Sequence, residues 1–336
     1  MKKIFMKGLV PFFVALFVAG CSSEGNDGPD LPPLDLKNAY IDRVYDYLPG
    51  VGQFTNKLPE YEEGDTKADL IRKAELMIKG SKPEGMISLG GFGGYVVFGF
   101  PKRVPNVEGY RDFRVLGNAF WANANPNPNA SSRGGSCEPG VIWVSKDVNG
   151  NGEPDDAWYE IRGSEYTKSV HGYKITYHRP DPKKKPVLDP KRPYATDVEY
   201  IFWEDNQGNK GYKEKNQFHG QSYFPAWITG NSYTLEGTLL PNNAVDESGE
   251  GKYWVLYSFD YGYADNAPNE DDESAIDISW AVDAQGKPVH LDGIDFVKVV
   301  CGMNQEAGWL GETSTEVQGA VNLHALGKRI KTRNLR

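Results

Sequence analysis

Short apolar runs broken by Gly, Pro, Asn and Asp recur along most of the chain, and their pattern predicts β-strands. The clearest are 95–100 (YVVFGF), 113–116 (FRVL), 141–144 (VIWV), 158–161 (WYEI), 173–177 (YKITY), 198–203 (VEYIFW), 253–259 (YWVLYSF), 276–282 (IDISWAV) and 296–300 (FVKVV). One stretch has a different period. In 66–79, Leu70, Ile71, Ala74, Met77 and Ile78 recur at helical spacing, with Asp65 or Thr66 to cap the start and Gly80 to end it. Successive strands without helices between them argue against a doubly wound sheet. The expected class is mainly β: an antiparallel β-sandwich, jelly-roll-like, with one N-terminal helix and long loops at 122–136, 179–193 and 207–233. No fixed-period repeat points to a propeller or solenoid.

The first residues follow another rule. Lys2, Lys3 and Lys7 precede an apolar run from Leu9 to Ala19, too short for an ordinary membrane span, which reads as a secretory signal peptide. Val18-Ala19-Gly20-Cys21 resembles a bacterial lipobox, so Cys21 is the expected lipidation site. The polar, proline-bearing stretch that follows has no periodicity and reads as a tether. The expected organisation is a signal peptide at 1–20, a flexible tether at 21–35, a helical segment packed on the body at 36–83, and a ligand-binding β-sandwich at 84–336.

Charge narrows the partners. The chain carries 37 basic and 46 acidic residues, a net −9, and removing residues 1–20 with their three lysines leaves 34 against 46, a net −12. Such a surface disfavours nucleic acid and a peripheral grip on anionic lipid, leaving attachment to the lipid chain. Beyond Cys21 the cysteines are Cys137 and Cys301, which an exported chain is able to pair as a disulfide, although sequence separation does not establish proximity.

Candidate chemistry centres on acidic loops. In 147–156 (DVNGNGEPDD), Asp147, Asn149, Asn151, Glu153 and Asp155 fall at alternate positions, with Gly152 sixth and Asp156 adjacent. That matches the first part of a calcium loop, in which oxygens come from positions one, three, five, seven and nine. Trp158 occupies the twelfth position and the flanks are strands, so an EF-hand is excluded. Calcium in a hairpin loop and a plain hairpin turn built on Asn149-Gly150 and Asn151-Gly152 both remain open. The acidic stretch 260–277 is either a second source of ligands or a solvated loop. The glycines of 90–94 (GGFGG) precede a strand, not a helix, so they read as sites of turning or close backbone approach, not as a phosphate loop. No HExxH or GxSxG constellation is present, which argues against an enzyme, though a glycan hydrolase needs only two carboxylates brought together by the fold. Trp121, Tyr223, Trp227 and Trp309 lie in segments rich in Gly, Asn or Pro. They read either as a platform for a flat, polar, ring-shaped ligand or as core.

Several strings, 91–100 (GFGGYVVFGF), 104–110 (VPNVEGY), 112–120 (DFRVLGNAF), 138–144 (EPGVIWV), 147–164 and 307–312 (AGWLGE), resemble a family of Bacteroidetes cell-surface lipoproteins. The resemblance spans about residues 84–324. It implies a β-sandwich facing the cell exterior, lipid-anchored in the outer membrane. It also implies a gene neighbourhood with TonB-dependent receptors, including those for cobalamin. The function expected from it is capture of a small-molecule nutrient, with cobalamin the candidate, for such a receptor. The alternatives are a glycan-binding protein or glycan hydrolase, and a calcium-stabilised adhesion protein.

Overall fold

The computed structural model describes residues 32–123 and 126–333. The expected lipidation site Cys21 and the expected signal peptide lie outside the described residues. The expected class is what the structure shows: mainly β, sandwich-like, with antiparallel sheets and one α-helix.

The largest sheet has seven strands. Its path runs Arg43–Leu48, Tyr95–Pro105, Gly293–Cys301, Gly140–Ser145, Trp158–Ile161, Ala281–Val282, with Tyr263–Ala264 also paired to Gly140–Ser145. Period-two alternation gives this sheet two unlike faces. Val299 stands opposite Val96 and Ile142, and Val297 opposite Phe98 and Val144. All six are fully buried. Each such side chain contributes roughly 1.5–3 kcal/mol of burial. One residue along, the register places Lys298 beside Val97 and Trp143, and Trp143 beside Glu160, on the opposite face. That second face is partly polar because part of it is not covered.

The helix spans Lys67–Ile78 and buries Leu70, Ala74 and Ile78 in the same core. Its start is a capping box. Asp69 N donates to Thr66 Oγ1 at 3.3 Å and Thr66 N donates to Asp69 Oδ2 at 3.0 Å. Val44 N donates to Glu75 Oε2 at 3.1 Å and ties the edge strand to the helix.

A four-stranded sheet runs Lys210–Asn216, Ala195–Asp205, Val170–His178, Ser232–Leu239. Its own core holds Tyr173, Ile175, Tyr177, Ile201, Tyr223, Phe224 and Leu235, together with Val51 and Phe92. The two sheets meet where Gly237 lies against Val300 and Phe92.

Several expectations need correction. Residues 36–83 are more than a docked helix, since Arg43–Leu48 is an edge strand of the large sheet. The tether ends before Asp35, whose amide donates to Ala325 O at 3.0 Å and whose carboxylate pairs with Lys102 at 2.7 Å. The 207–233 connection contains the strand Lys210–Asn216 and the start of another. The 276–282 strand is broken by a 3-10 turn at Ile278–Trp280, because Asp277 Oδ1 accepts the amide of Ser279 and bends the chain. Cys137 and Cys301 are separate, free, buried thiols, not a disulfide.

The glycines of 90–94 serve close approach, as expected. Gly94 O accepts from Cys301 N at 2.8 Å, and a Cβ on Gly94 would lie 1.8 Å from Leu89 O and 2.2 Å from Gly50 N. Backbone packed this tightly has no side chain to turn aside. Gly94→Ala is therefore expected to cost more stability in urea denaturation than Leu70→Ala, itself about 2–5 kcal/mol for a buried leucine. A Gly94→Ala protein as stable as the parent would show that this crossing is loose.

Candidate functional site

Two concave regions carry chemistry. The first is a groove on the partly polar face of the large sheet. Trp158 and Glu160 share that face by their i, i+2 spacing, and Trp143 and Lys298 join them by register. With His171, Tyr166, Glu236, Thr238 and Asp283 they line a cavity of about 620 Å³. A second cavity of about 320 Å³ shares Trp158 and Lys298 and adds Tyr45, Asp46, Tyr95, Glu153 and Pro154, so the two make one continuous groove. Its polar groups are fixed. Thr238 Oγ1 donates to Glu160 Oε2 at 2.7 Å. The His171 ring lies 3.2 Å from Thr238 Oγ1 through Nδ1 and 3.0 Å from Tyr166 O through Nε2. Lys298 Nζ stands 4.5 Å over the Tyr95 ring. Burial pushes the Glu160 carboxyl up, against the Thr238 and His171 contacts, and pulls the Lys298 ammonium down.

The second region is a cavity of about 440 Å³ walled by carboxylates. Asp265 anchors it in left-handed backbone at φ 51°, which aspartate tolerates better than most residues. Its Oδ1 accepts the amides of Asn118 and Ala119, both at 2.8 Å, and its Oδ2 that of Glu316 at 2.9 Å. Glu138 N donates in turn to Asp265 O at 2.9 Å. Glu316 Oε1 accepts from Ser314 Oγ at 2.8 Å. Glu312 Oε1 accepts from Gln53 N at 2.7 Å, an approach open only because residue 52 is glycine: a Cβ there would meet that oxygen at 2.5 Å. Nearby in the chain, the partly exposed Glu306 lies 3.7 Å from the buried Lys213. Glu138, Glu312 and Glu316 thus line the cavity with His219, and Asp265 stands behind them.

Burial raises every one of these carboxyls, and repulsion among them adds to it at Glu138, Asp265 and Glu312. Desolvation, then the Glu316 charge, pushes Asp265 up to about 8, and desolvation pushes Glu306 up to about 7 against the pull of Lys213. Glu138 and Glu312 stand well above the usual carboxylate range, and Glu316 is raised too, in each case chiefly by burial. Burial holds His219 below its ordinary value.

The structure gathers most of the 147–156 residues. Asp147 accepts the amides of Gly150 at 2.7 Å and Gly152 at 2.9 Å. Asn149 Oδ1 accepts from Asn151 N at 2.9 Å, and Asn151 Oδ1 from Glu153 N at 2.8 Å. Asp155 accepts from the side-chain amides of Asn149 and Asn151, at 3.0 and 2.9 Å, and Asp156 from Val148 N at 2.9 Å. Glu153 turns away to pair with Arg43 at 3.1 Å. The donor types suit calcium, but a cation at Asp155 requires both asparagine amides to turn their oxygens inward. As they stand, the bonds are those of a tight hairpin loop.

The aromatic residues singled out from sequence are not brought together. Tyr223 is a correction: it is buried in the smaller core, its hydroxyl donating to His219 O and accepting from Asn216 N, so it faces no ligand. Trp227 is partly buried against the main core and stacks on Tyr61. Trp121 carries Arg133 over its ring at 4.7 Å, and the exposed Trp309 donates from Nε1 to Lys252 O at 3.2 Å. None of the four lines either region. Trp143 and Trp158, read from sequence only as strand residues, are the ones that do. The signal was present in WYEI, where Trp158 shares a face with the ionisable Glu160.

A further cavity of about 660 Å³ lies under the 179–193 loop, but its cations are already engaged: Arg179 on Phe224, Lys184 on Tyr212, Lys215 on Tyr200. His324 and Asp112, both fully buried and 2.7 Å apart, form a structural tie away from these cavities. No protein-family model and no curated protein matches the sequence.

The raised carboxyls set the sign of a pH effect. The folded cavity holds protons that the unfolded chain releases from about pH 4 upward, so stability falls as pH rises toward 8. His219 acts the other way but is outnumbered. In chelator-treated buffer, urea midpoints measured at pH 5, 6, 7 and 8 are expected to decline steadily. A flat or rising series would mean that these carboxyls are ionised in the fold.

Proposed function

We propose that this is a lipid-anchored protein of the outer cell surface that captures a nutrient ligand for a TonB-dependent transporter, and that the ligand lies in the Trp143–Trp158 groove. One observation carries the choice of site: two half-buried indoles and a ring of fixed polar groups share one open groove on rigid strands. Indole faces suit the apolar faces of a ring ligand. Glu160, Glu236 and Asp283 are acceptors for hydroxyl donors, and Lys298 and His171 add donors. That balance favours a saccharide. Cobalamin, the ligand implied by the family resemblance, is the competing occupant. The anchoring half of the proposal rests on the Cys21 pattern and on that resemblance. Glu153 and Pro154 line the end of the groove, so a calcium ion in the 147–156 loop would stiffen its rim.

The second reading is glycan hydrolysis. Burial raises the Glu160 carboxyl, and a glutamic acid raised by burial is the kind of group that serves as a general acid. Calorimetry with a glycan panel and with cobalamin, followed by analysis for released sugar, separates these outcomes. Saccharide binding without product is expected, with Trp143→Ala and Trp158→Ala each weakening it by tenfold or more. Product release would replace capture by hydrolysis. Cobalamin binding sensitive to the same two substitutions would change the ligand but keep the site. Binding of either ligand indifferent to both substitutions would move the site elsewhere.

A further inference from the structure

We infer that the carboxylate-walled cavity is a calcium site built from Glu138, Asp265 and Glu316. One carboxylate oxygen from each of these residues lies within 4.8 Å of the other two. Calcium takes oxygens at 2.3–2.6 Å, so opposed ligands stand up to about 5 Å apart, whereas magnesium at 2.0–2.1 Å demands a tighter set. Three carboxylates with no arginine or lysine bonded to them are the charge set that a hard dication selects.

Acid clusters are common without ions, but here two further oxygens also point to a ligand. Glu312 Oε2 lies on the same cavity wall, is buried, and has no hydrogen-bond partner, although the residue is only 6% exposed. Gln53 Oε1, on a residue 4% exposed and lining the same cavity, is likewise unpartnered. Buried oxygens left without donors are costly. Asn118 offers one more oxygen by a turn of its amide. With one orientation of its amide it donates to both Asp265 oxygens at 3.2 Å, and with the other its Oδ1 faces them. Asn118 is exposed, so the site has a path from solvent. These oxygens come from five separate segments, so an ion here would cross-link the loops that Asp265 already joins. It lies apart from the 147–156 loop, none of whose residues lines this cavity.

The test is calcium titration of the chelator-treated protein by calorimetry, paired with melting temperatures in calcium and in chelator. The parent is compared with Glu138→Gln, Glu316→Gln and, as a control for the other loop, Asp147→Ala. The expected result is a calcium-binding event that survives Asp147→Ala and weakens at least tenfold in Glu138→Gln. Glutamine keeps the shape of glutamate and removes a charge from a cluster of acids, so Glu138→Gln should melt no lower than the parent in chelator, and only the calcium-induced rise should shrink. That pattern separates a lost ligand from a damaged fold. Calcium binding abolished by Asp147→Ala alone, binding untouched by both glutamine substitutions, or a site that takes magnesium more tightly than calcium would each overturn the inference.

Discussion

A carboxylate taken out of water must be matched by a cation, held by several donors, or protonated. Asp265 is where this chain meets that constraint most severely. It is 3% exposed, sits in left-handed backbone, and accepts three main-chain amides while its own carbonyl accepts a fourth. Those four amides belong to Asn118, Ala119, Glu316 and Glu138, which are far apart in sequence. Asp265 is therefore a junction at which three distant loops are fixed. The acids around it follow from that geometry, because the segments it gathers carry Glu138 and Glu316, and Glu312 follows on the neighbouring turn. How their charge is neutralised decides whether the loops stay together.

The large sheet divides two tasks between its faces by parity alone. Val297 and Val299 face inward with Ile142, Val144, Val96 and Phe98 and hold the fold. Lys298, Trp143, Glu160 and Trp158 face the other way, and there the smaller sheet covers only part of the surface, meeting the large one at Gly237 and Val300. The groove is what remains uncovered. Its residues are positioned by the same hydrogen-bonded ladders that hold the core, so the indoles and Glu160 need no flexible loop to bring them together.

Much of this architecture was legible in the alternation of the chain. The helix, its Thr66 cap and the strands around Val96, Ile142 and Val299 follow from periodicity, because buried positions there are apolar on one or both faces. Lys210–Asn216 was hidden because it is almost wholly polar, and pairing rather than composition makes it a strand; Arg43–Leu48 carries Val44, Tyr45, Tyr47 and Leu48, but Asp46 interrupts their alternation. Asp277 broke an expected strand by a local bond that β-propensity does not register. The candidate sites were less legible still. Glu138, Asp265, Glu312 and Glu316 have no spacing that marks them as neighbours, since only the fold brings them together. The aromatic-rich loops drew attention to Tyr223, which is core, and away from Trp143, whose apolar neighbours disguised an open face.

Protons and a cation are competing answers to the same electrostatic problem in the Asp265 cavity. A cation requires ionised ligands and so releases the protons that burial would otherwise impose. Affinity at such a site therefore rises as the medium becomes less acidic, and part of any binding energy is consumed in removing protons. A site of this kind is weaker than its three carboxylates suggest, and extracellular calcium modules work at dissociation constants of roughly 10⁻⁴–10⁻³ M. The groove on the large sheet is walled by a different set of residues, so a ligand there would not depend on direct contact with an ion in the cavity. What the two regions share is the strand Gly140–Ser145: it follows Glu138 by one residue and carries Trp143 on the groove face. Closing the loops over the cavity fixes the end of that strand, and the strand's ladder fixes the indole.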